Sequence, residues 1–498
     1  MITDQSVNQF YIRFLSSINS STATVYRYFD EQYTYLEMYS IMLKVNAALK
    51  GRRYEQVVLY ASKRFPTYAA IFSIVLSNNT WVPLSPENPE SRNLEILNQT
   101  NSTVVIYDEE LPGVILAYFK EKNADILSLD KIVSSYKEEE FESNIFNKND
   151  VAYIMFTSGS TGMPKGVPMT HENYINFINN ILAILPFGKS EVFSDFHDFT
   201  FDISIFYLFT CPLVQGAFSP FRDEKDKVIP IKHLVDNKIT VWSSVPSVIN
   251  RIKTFRPKDK IGTAIKIMFL CGEPLKFDVL RYCFDNMNMN HVYNFYGLTE
   301  TGVENFYHRC TREDLIKYVK YGIAPIGKPL PGNVIKVMAN KELYISSSQV
   351  TSGYLGGRSK EKFEVIEGVR WYKTGDIVEK HEDVYFCKGR LDSQVKISGF
   401  RVELMDIEAH IAKHENVEQV LCFVKDHKGN KLLVAAIKPE GKFDFRELQA
   451  RLKKELPSYM IPKEHLLLES FPLNNNGKVD RKRICADSPL INLGESIS

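Results

Sequence analysis

One stretch, VAYIMFTSGSTGMPKGVPMTHEN at residues 151–173, constrains the fold of this chain more than any other. Residues 151–156 are mostly apolar and read as a buried strand, which empties into a loop of small hydroxyl and glycine residues, Thr157, Ser158, Gly159, Ser160, Thr161 and Gly162. Glycines let successive backbone N–H groups turn toward one concave point, and hydroxyls add donors. Such a nest attracts anions, phosphate above all, and Lys165 adds a mobile point charge. This is not the P-loop pattern G-x-x-x-x-G-K-[ST], because Lys165 is followed by Gly166. A flexible linker is the plain alternative, but linkers rarely follow an apolar strand directly or carry one lysine in a proline-gated turn.

At 498 residues the chain is too long for a single core, so two to four domains or subdomains are expected. A net charge of +1 gives no argument for nucleic acid or a membrane surface. No apolar run is long enough to span a bilayer, and the first residues lack the basic start and apolar core of a signal peptide. Seven scattered cysteines, never spaced C-x-x-C, argue for reduced thiols in a cytoplasmic protein and against a disulfide frame or zinc cluster. His410 and His414 share a helical face without acidic partners in register and read as surface.

Apolar spacing predicts a helix at 35–49, strands at 56–61 and 81–84, and a helix at 66–77 between those strands. That is a βαβ unit and implies a largely parallel sheet. Residues 127–149 are charged and read as an irregular surface connection. Helices near 173–184 and 203–213, with strands at 239–241, 265–270 and 291–293, form a second βαβ series. Residues 294–300 read as a polar loop. Beyond residue 323, short strands at 334–338, 342–345 and 371–372 suggest a small β-barrel or sandwich. The fold class expected is α/β. A large N-terminal domain (1–391) holds two βαβ-type subdomains plus the small β-barrel. A smaller, mobile α+β domain (392–483) and a tail (484–498) follow.

Five stretches occur in a fixed order: TSGSTGMPKG (157–166), YGLTE (296–300), YKTGD (372–376), GRLDSQVKISGFRVEL (389–404) and NNNGKVDRK (474–482). Together they resemble the adenylate-forming superfamily of acyl-CoA synthetases, luciferases and nonribosomal peptide synthetase adenylation domains. The resemblance spans about residues 25–482. It implies two half-reactions: a carboxylate attacks the α-phosphate of ATP to give an acyl-adenylate and pyrophosphate, and a thiol then displaces AMP. It also implies ATP and Mg²⁺ as cofactors.

The residue types suit that chemistry, which brings two anionic reactants together and needs cations and donors aimed at phosphorus. By the resemblance, the loop from Thr157 to Gly162 with Lys165 would hold the β and γ phosphates. Glu300 would be the metal ligand, a hard oxygen donor of the kind Mg²⁺ takes. Asn294, Tyr296, Gly297 and Thr299 would line the nucleotide, with Tyr296 stacked on adenine. Asp376 would accept the ribose hydroxyls with Arg390 assisting. Lys478 would bridge the substrate carboxylate and the α-phosphate, so Lys478, Thr157, Lys165 and Glu300 form the catalytic set. Asp392 falls at the family's hinge, about which the small domain would rotate to present a thiolation surface around 396–399. Each charge alone could equally be a turn, a cap or solvated surface.

Asp202, in FTFDIS (199–204), matches the aspartate with which amino-acid-activating members bind the α-ammonium of their substrate. A helix N-cap is the alternative. By the same resemblance Phe206, Ser243, Phe269, Cys271, Gly272, Phe295, Val303 and Glu304 would line the side-chain pocket. Three phenylalanines make it small, and Phe269–Glu273 is similar to members that activate D-alanine. The implied acceptor is the phosphopantetheine of a separate carrier protein. L-Proline or a polar amino acid is the second expectation, since Phe295 and Glu304 depart from the D-alanine pattern. Leu298, where peptide-synthetase members usually carry proline, keeps an acyl- or aryl-CoA ligase open. A non-catalytic scaffold is the third reading.

Overall fold

The computed structural model describes residues 2–142, 145–159, 163–392, 394–427, 430–472, 479 and 483–485. The chain divides into two compact units, Met1–Thr157 with Pro164–Asp392, and Ser158–Met163 with Ser393–Ser498.

In the first unit the helix Phe65–Leu76 buries eleven of its twelve residues, with Pro66 in its first turn where a missing N–H does no harm. A helix apolar on all sides belongs between layers. It joins the strands Gln56–Tyr60 and Thr80–Leu84, which pair in parallel within a six-stranded sheet. The helix Ser204–Leu213 is buried in the same way, and Phe209 meets Phe72 at a ring separation of 5.9 Å.

Side-chain alternation then covers both faces of each sheet. Val57 and Leu59 face the central core, whereas Val58 and Tyr60 face an outer cluster. In the second sheet Ile267 and Phe269 face the central core, and Met268 and Leu270 pack outward. This second sheet has nine strands. Its interior is parallel through His291–Tyr296, Ile267–Leu270, Val241–Ser244, Val192–Asp195, Ala217–Pro220 and Thr24–Tyr28. Antiparallel strands flank it.

Several expectations are corrected. The segment read as an irregular connection, 127–149, takes in the end of the strand Asp125–Ser128, at the edge of the first sheet, and the helix Leu129–Ser135, capped by the Ser128 hydroxyl. An N-terminal helix not foreseen, Asp4–Ile18, buries Val7, Phe10, Tyr11, Phe14 and Ile18 at helical spacing. The strand after residue 290 continues to Tyr296, so Asn294 and Phe295 are strand residues, not loop. Where a small β-barrel was expected there is a five-stranded antiparallel sheet, running Val334–Val337, Glu342–Ser346, Val369–His381 and Phe363–Ile366, with Val384–Arg390 added to the long strand. These pairings do not join its ends.

The second unit holds the hairpin Gln394–Ile397 with Phe400–Glu403 and a three-stranded sheet of Val417–His427, Asn430–Pro439 and Glu464–Leu467. The helices Leu404–Ile411 and Phe445–Glu455 supply Ile407, Ile411, Leu448 and Leu452 to its core. His410 and His414, expected at the surface, are buried here, and His410 pairs with Asp406. No helix of the described residues is long and apolar enough to cross a membrane.

Candidate active site

The strands Val151–Thr157 and Lys165–Thr170 form an antiparallel hairpin in which Thr157 is paired with Lys165. Side-chain space at Gly166 is taken by Leu355, whose Cδ1 would lie 2.6 Å from a Cβ there. Ser158 and Gly159 belong to the second unit, where the Ser158 hydroxyl donates to the Arg401 carbonyl at 2.8 Å. Ser160, Thr161, Gly162 and Lys478 lie outside the described residues.

Two candidate nucleotide residues, Arg390 and Tyr296, converge on the carboxylate of a third, Asp376. Asp376 is 2% exposed; its Oδ1 accepts from Arg390 Nη1 at 2.7 Å and its Oδ2 from the Tyr296 hydroxyl at 2.6 Å. Burial, with Asp376 beside it, drives the Tyr296 hydroxyl far above its ordinary pKa, so it stays a donor. The guanidinium also donates to the Thr374 carbonyl at 3.0 Å and to both oxygens of Asp392 at 2.6 and 2.8 Å. Gly375 takes a positive φ of 75°, and a Cβ there would meet Arg390 at 2.8 Å, so the turn before Asp376 has no room for a side chain. The Tyr296 ring, expected on adenine, stands edge-on to Phe306.

Asn294, two residues before Tyr296 on the same strand, donates from Nδ2 to the Pro325 carbonyl at 2.8 Å. Its Oδ1 is buried without a hydrogen-bond partner among the described residues, which leaves an acceptor available to a ligand donor. Gly297 follows, and a Cβ there would lie 2.2 Å from the Val303 carbonyl, so only glycine allows the chain to fold back this tightly.

Glu300 sits in the single turn Thr299–Thr301 and is 1% exposed. Its Oε1 accepts from the Tyr354 hydroxyl at 2.6 Å, and its backbone carbonyl accepts from Thr351 N at 2.9 Å. A buried carboxylate is a hard oxygen donor of the type Mg²⁺ prefers, so the donor chemistry fits that ion. Lys165 Nζ lies 5.8 Å from the centre of the Tyr354 ring.

The pocket residues form a wall. Phe206 stacks on Phe269 at 4.3 Å, and Phe269 stacks on Phe295 at 4.0 Å with planes 10° apart. Ser243 is in register with Phe269, buried, its hydroxyl without a partner among the described residues. Cys271 and Gly272 follow the Phe269 strand, with Cys271 buried and Gly272 at a positive φ of 79°. Val303 holds a φ of 70°, unusual for a β-branched residue. Gln349 pins that turn, donating to the carbonyls of Gly302 and Glu304 at 3.0 and 2.9 Å. Glu304 is buried. Asp202 lies just before the helix Ser204–Leu213, whose N-cap is Ile203 and carries no side-chain cap hydrogen bond.

Lys63 and Asp195 form a buried ion pair at 2.7 Å. His197, on the same segment, has neither ring nitrogen hydrogen-bonded among the described residues, and burial lowers its pKa to about 3. Tyr354, Gln349 and His197 were not among the residues singled out from sequence; no local pattern marks them.

The sequence profile of the AMP-binding enzyme family matches residues 18–355, and that of the AMP-binding enzyme C-terminal domain matches residues 406–478. The chain belongs to the AMP-binding enzyme family. This AMP-binding enzyme is 29% identical over 475 residues to a D-alanine–D-alanyl carrier protein ligase of Lactococcus lactis, covering 91% of this chain and 94% of the relative. The ligase of the same name from Staphylococcus epidermidis is 28% identical, over 93% of this chain and 95% of its own. In fold, the enzyme is similar to the Vibrio cholerae adenylation domain AlmE, solved in complex with glycyl-adenosine-5'-phosphate. The TM-score is 0.81 at 23% identity, with 96% and 97% of the two chains covered.

Proposed function

We propose that the chain joins a small amino acid, D-alanine first, to AMP and then passes the aminoacyl group to the phosphopantetheine thiol of a separate carrier protein. The observation that carries this reading is the wall of three stacked phenylalanines, Phe206, Phe269 and Phe295, which we read as the side-chain pocket of a site whose α-ammonium partner is Asp202. Stacked rings leave little room for a side chain, and the Asp202 carboxylate suits an α-ammonium. End-to-end similarity to two D-alanine–D-alanyl carrier protein ligases supports the same substrate and acceptor.

In the first step an oxygen of the substrate carboxylate bonds to the α-phosphorus, and the bond to the β-phosphate bridging oxygen breaks, releasing pyrophosphate. In the second, the thiolate attacks the acyl carbon and AMP leaves. Thr157, Lys165 and the loop between them hold the β and γ phosphates. Asn294 Oδ1 accepts from the adenine amine, and Asp376, oriented by Arg390 and Tyr296, accepts from the ribose hydroxyls. Glu300 would hold Mg²⁺, which when bound offsets charge on the phosphates. Lys478 bridges substrate carboxylate and α-phosphate. The domain of 392–483 turns about Asp392 between steps, so that residues 396–399 meet the carrier arm. Reduced thiols and ATP supply suit the cytoplasm.

The test is pyrophosphate release from ATP across D- and L-amino acids, with fatty and aryl acids as controls. Release with D-alanine or another small amino acid supports the reading. Release only with a fatty or aryl acid replaces it by an acyl- or aryl-CoA ligase.

A further inference from the structure

Tyr354 lies in none of the five sequence motifs, yet it touches three of them. Its hydroxyl donates to Glu300 Oε1 at 2.6 Å and lies 3.2 Å from the Tyr372 hydroxyl, and the residue is 6% exposed. The face of its ring meets Lys165 Nζ at 5.8 Å, inside the range over which an ammonium is drawn to an aromatic quadrupole. Neighbouring residues tie the turn of Glu300 to the strand of Lys165. Thr351 donates through its backbone to the Glu300 carbonyl at 2.9 Å and through its hydroxyl to the Pro168 carbonyl at 2.6 Å, on the strand that begins with Lys165. Leu355 fills the space over Gly166.

We propose that Tyr354 is a positioning residue that sets Glu300 and Lys165 for the metal–phosphate end of the nucleotide. The inference rests on the reading of Glu300 as the residue that holds the divalent cation. A glutamate carboxylate rotates freely about its last bond unless a donor fixes it. One hydroxyl on Oε1 decides which way Oε2 faces, and that pre-orientation is made before any ligand arrives. The ring meanwhile gives the Lys165 ammonium an aromatic face beside the carboxylate that its hydroxyl holds.

The experiment uses the full-length enzyme with ATP and Mn²⁺ as a spin probe, titrated by electron paramagnetic resonance, for wild type, Y354F, E300Q and the double variant. Phenylalanine keeps the ring and its contact with Lys165 and removes only the hydroxyl. The expected result is Mn²⁺ affinity weakened roughly tenfold in Y354F, as for loss of a hydrogen bond to a charged group. No further weakening is expected when Y354F is added to E300Q. The second arm separates positioning from general damage, because a merely loosened fold would weaken binding in both backgrounds. Y354F affinity within about twofold of wild type, or the same loss with and without Glu300, overturns the proposal. If Y354F does not fold, E300D, which draws the carboxylate back from the same hydroxyl, must show the weakening instead. A wild-type enzyme that binds no Mn²⁺ with ATP overturns the metal reading of Glu300 and this inference together; binding unchanged by Y354F overturns only the inference.

Discussion

Phe269 lies face to face with Phe295, ring centres 4.0 Å apart and planes within 10° of parallel. The two rings stand on adjacent parallel strands, and Phe206 continues the stack from the helix Ser204–Leu213. In the proposed function their size, not their polarity, sets which side chain fits. Replacing Phe295 by alanine removes one end of the stack. F295A is expected to shift preference toward larger aliphatic amino acids, with stability lowered by about 3–5 kcal/mol, the usual range for a buried phenylalanine. Relative kcat/KM values across a side-chain series, with urea unfolding of both proteins, check the two parts.

Asp202 is expected to matter for substrate and not for the helix beside it. Because Ile203 occupies the N-cap without a side-chain bond, D202A should leave the unfolding midpoint nearly unchanged. Amino-acid-dependent pyrophosphate release should fall at least about 100-fold, through loss of the charge-assisted contact to the α-ammonium. A large fall in stability with intact amino acid use would make the aspartate structural.

Arg390 spans two carboxylates, Asp376 and Asp392, through different nitrogens of one planar group. Lysine presents a single point charge and cannot make both sets of bonds. R390K is therefore expected to raise the KM for ATP roughly tenfold and to lower the unfolding midpoint, since one buried carboxylate loses its partner. Equal ATP kinetics in R390K and wild type would sever Asp376 from the nucleotide.

How far this was legible in the chain depended on distance along it. The all-apolar run of the helix Phe65–Leu76 and the alternating strands around it follow from local spacing, so the parallel architecture could be read directly. Asn294 was misread as loop because an amide in a central strand looks like a turn signal. Its Nδ2 is satisfied by the Pro325 carbonyl, 31 residues away, and no local pattern reports that. The contact between Tyr354 and Glu300 crosses 54 residues and was invisible for the same reason. His410 and His414 read as surface because helical spacing shows which residues share a face but not what covers it; both are buried in the second unit. Edge strands such as Asp125–Ser128 are short and polar, and only their neighbour in the sheet makes them strands.

Acid should destabilise the fold through two buried neutral histidines. Burial lowers the pKa of His171, bonded to Tyr11 and packed beside Phe146, and that of His197, to about 3. Unfolding returns each to about 6.5, so the unfolded chain binds more protons below that value. Their stabilising contribution is complete above about pH 6.5 and is lost as the pH falls toward 3. H171Q should flatten the dependence of unfolding free energy on pH between about 6.5 and 4.5, whatever its effect at neutral pH. An unchanged slope would mean that His171 titrates normally in the folded protein.

The most direct test of the account is pyrophosphate release from ATP measured with one acid at a time: D-alanine, L-alanine, glycine, L-proline, polar amino acids, a fatty acid and an aryl acid. The account predicts one small amino acid, D-alanine first, well above all others. Release confined to the fatty or aryl acid, or none with any acid, would contradict it.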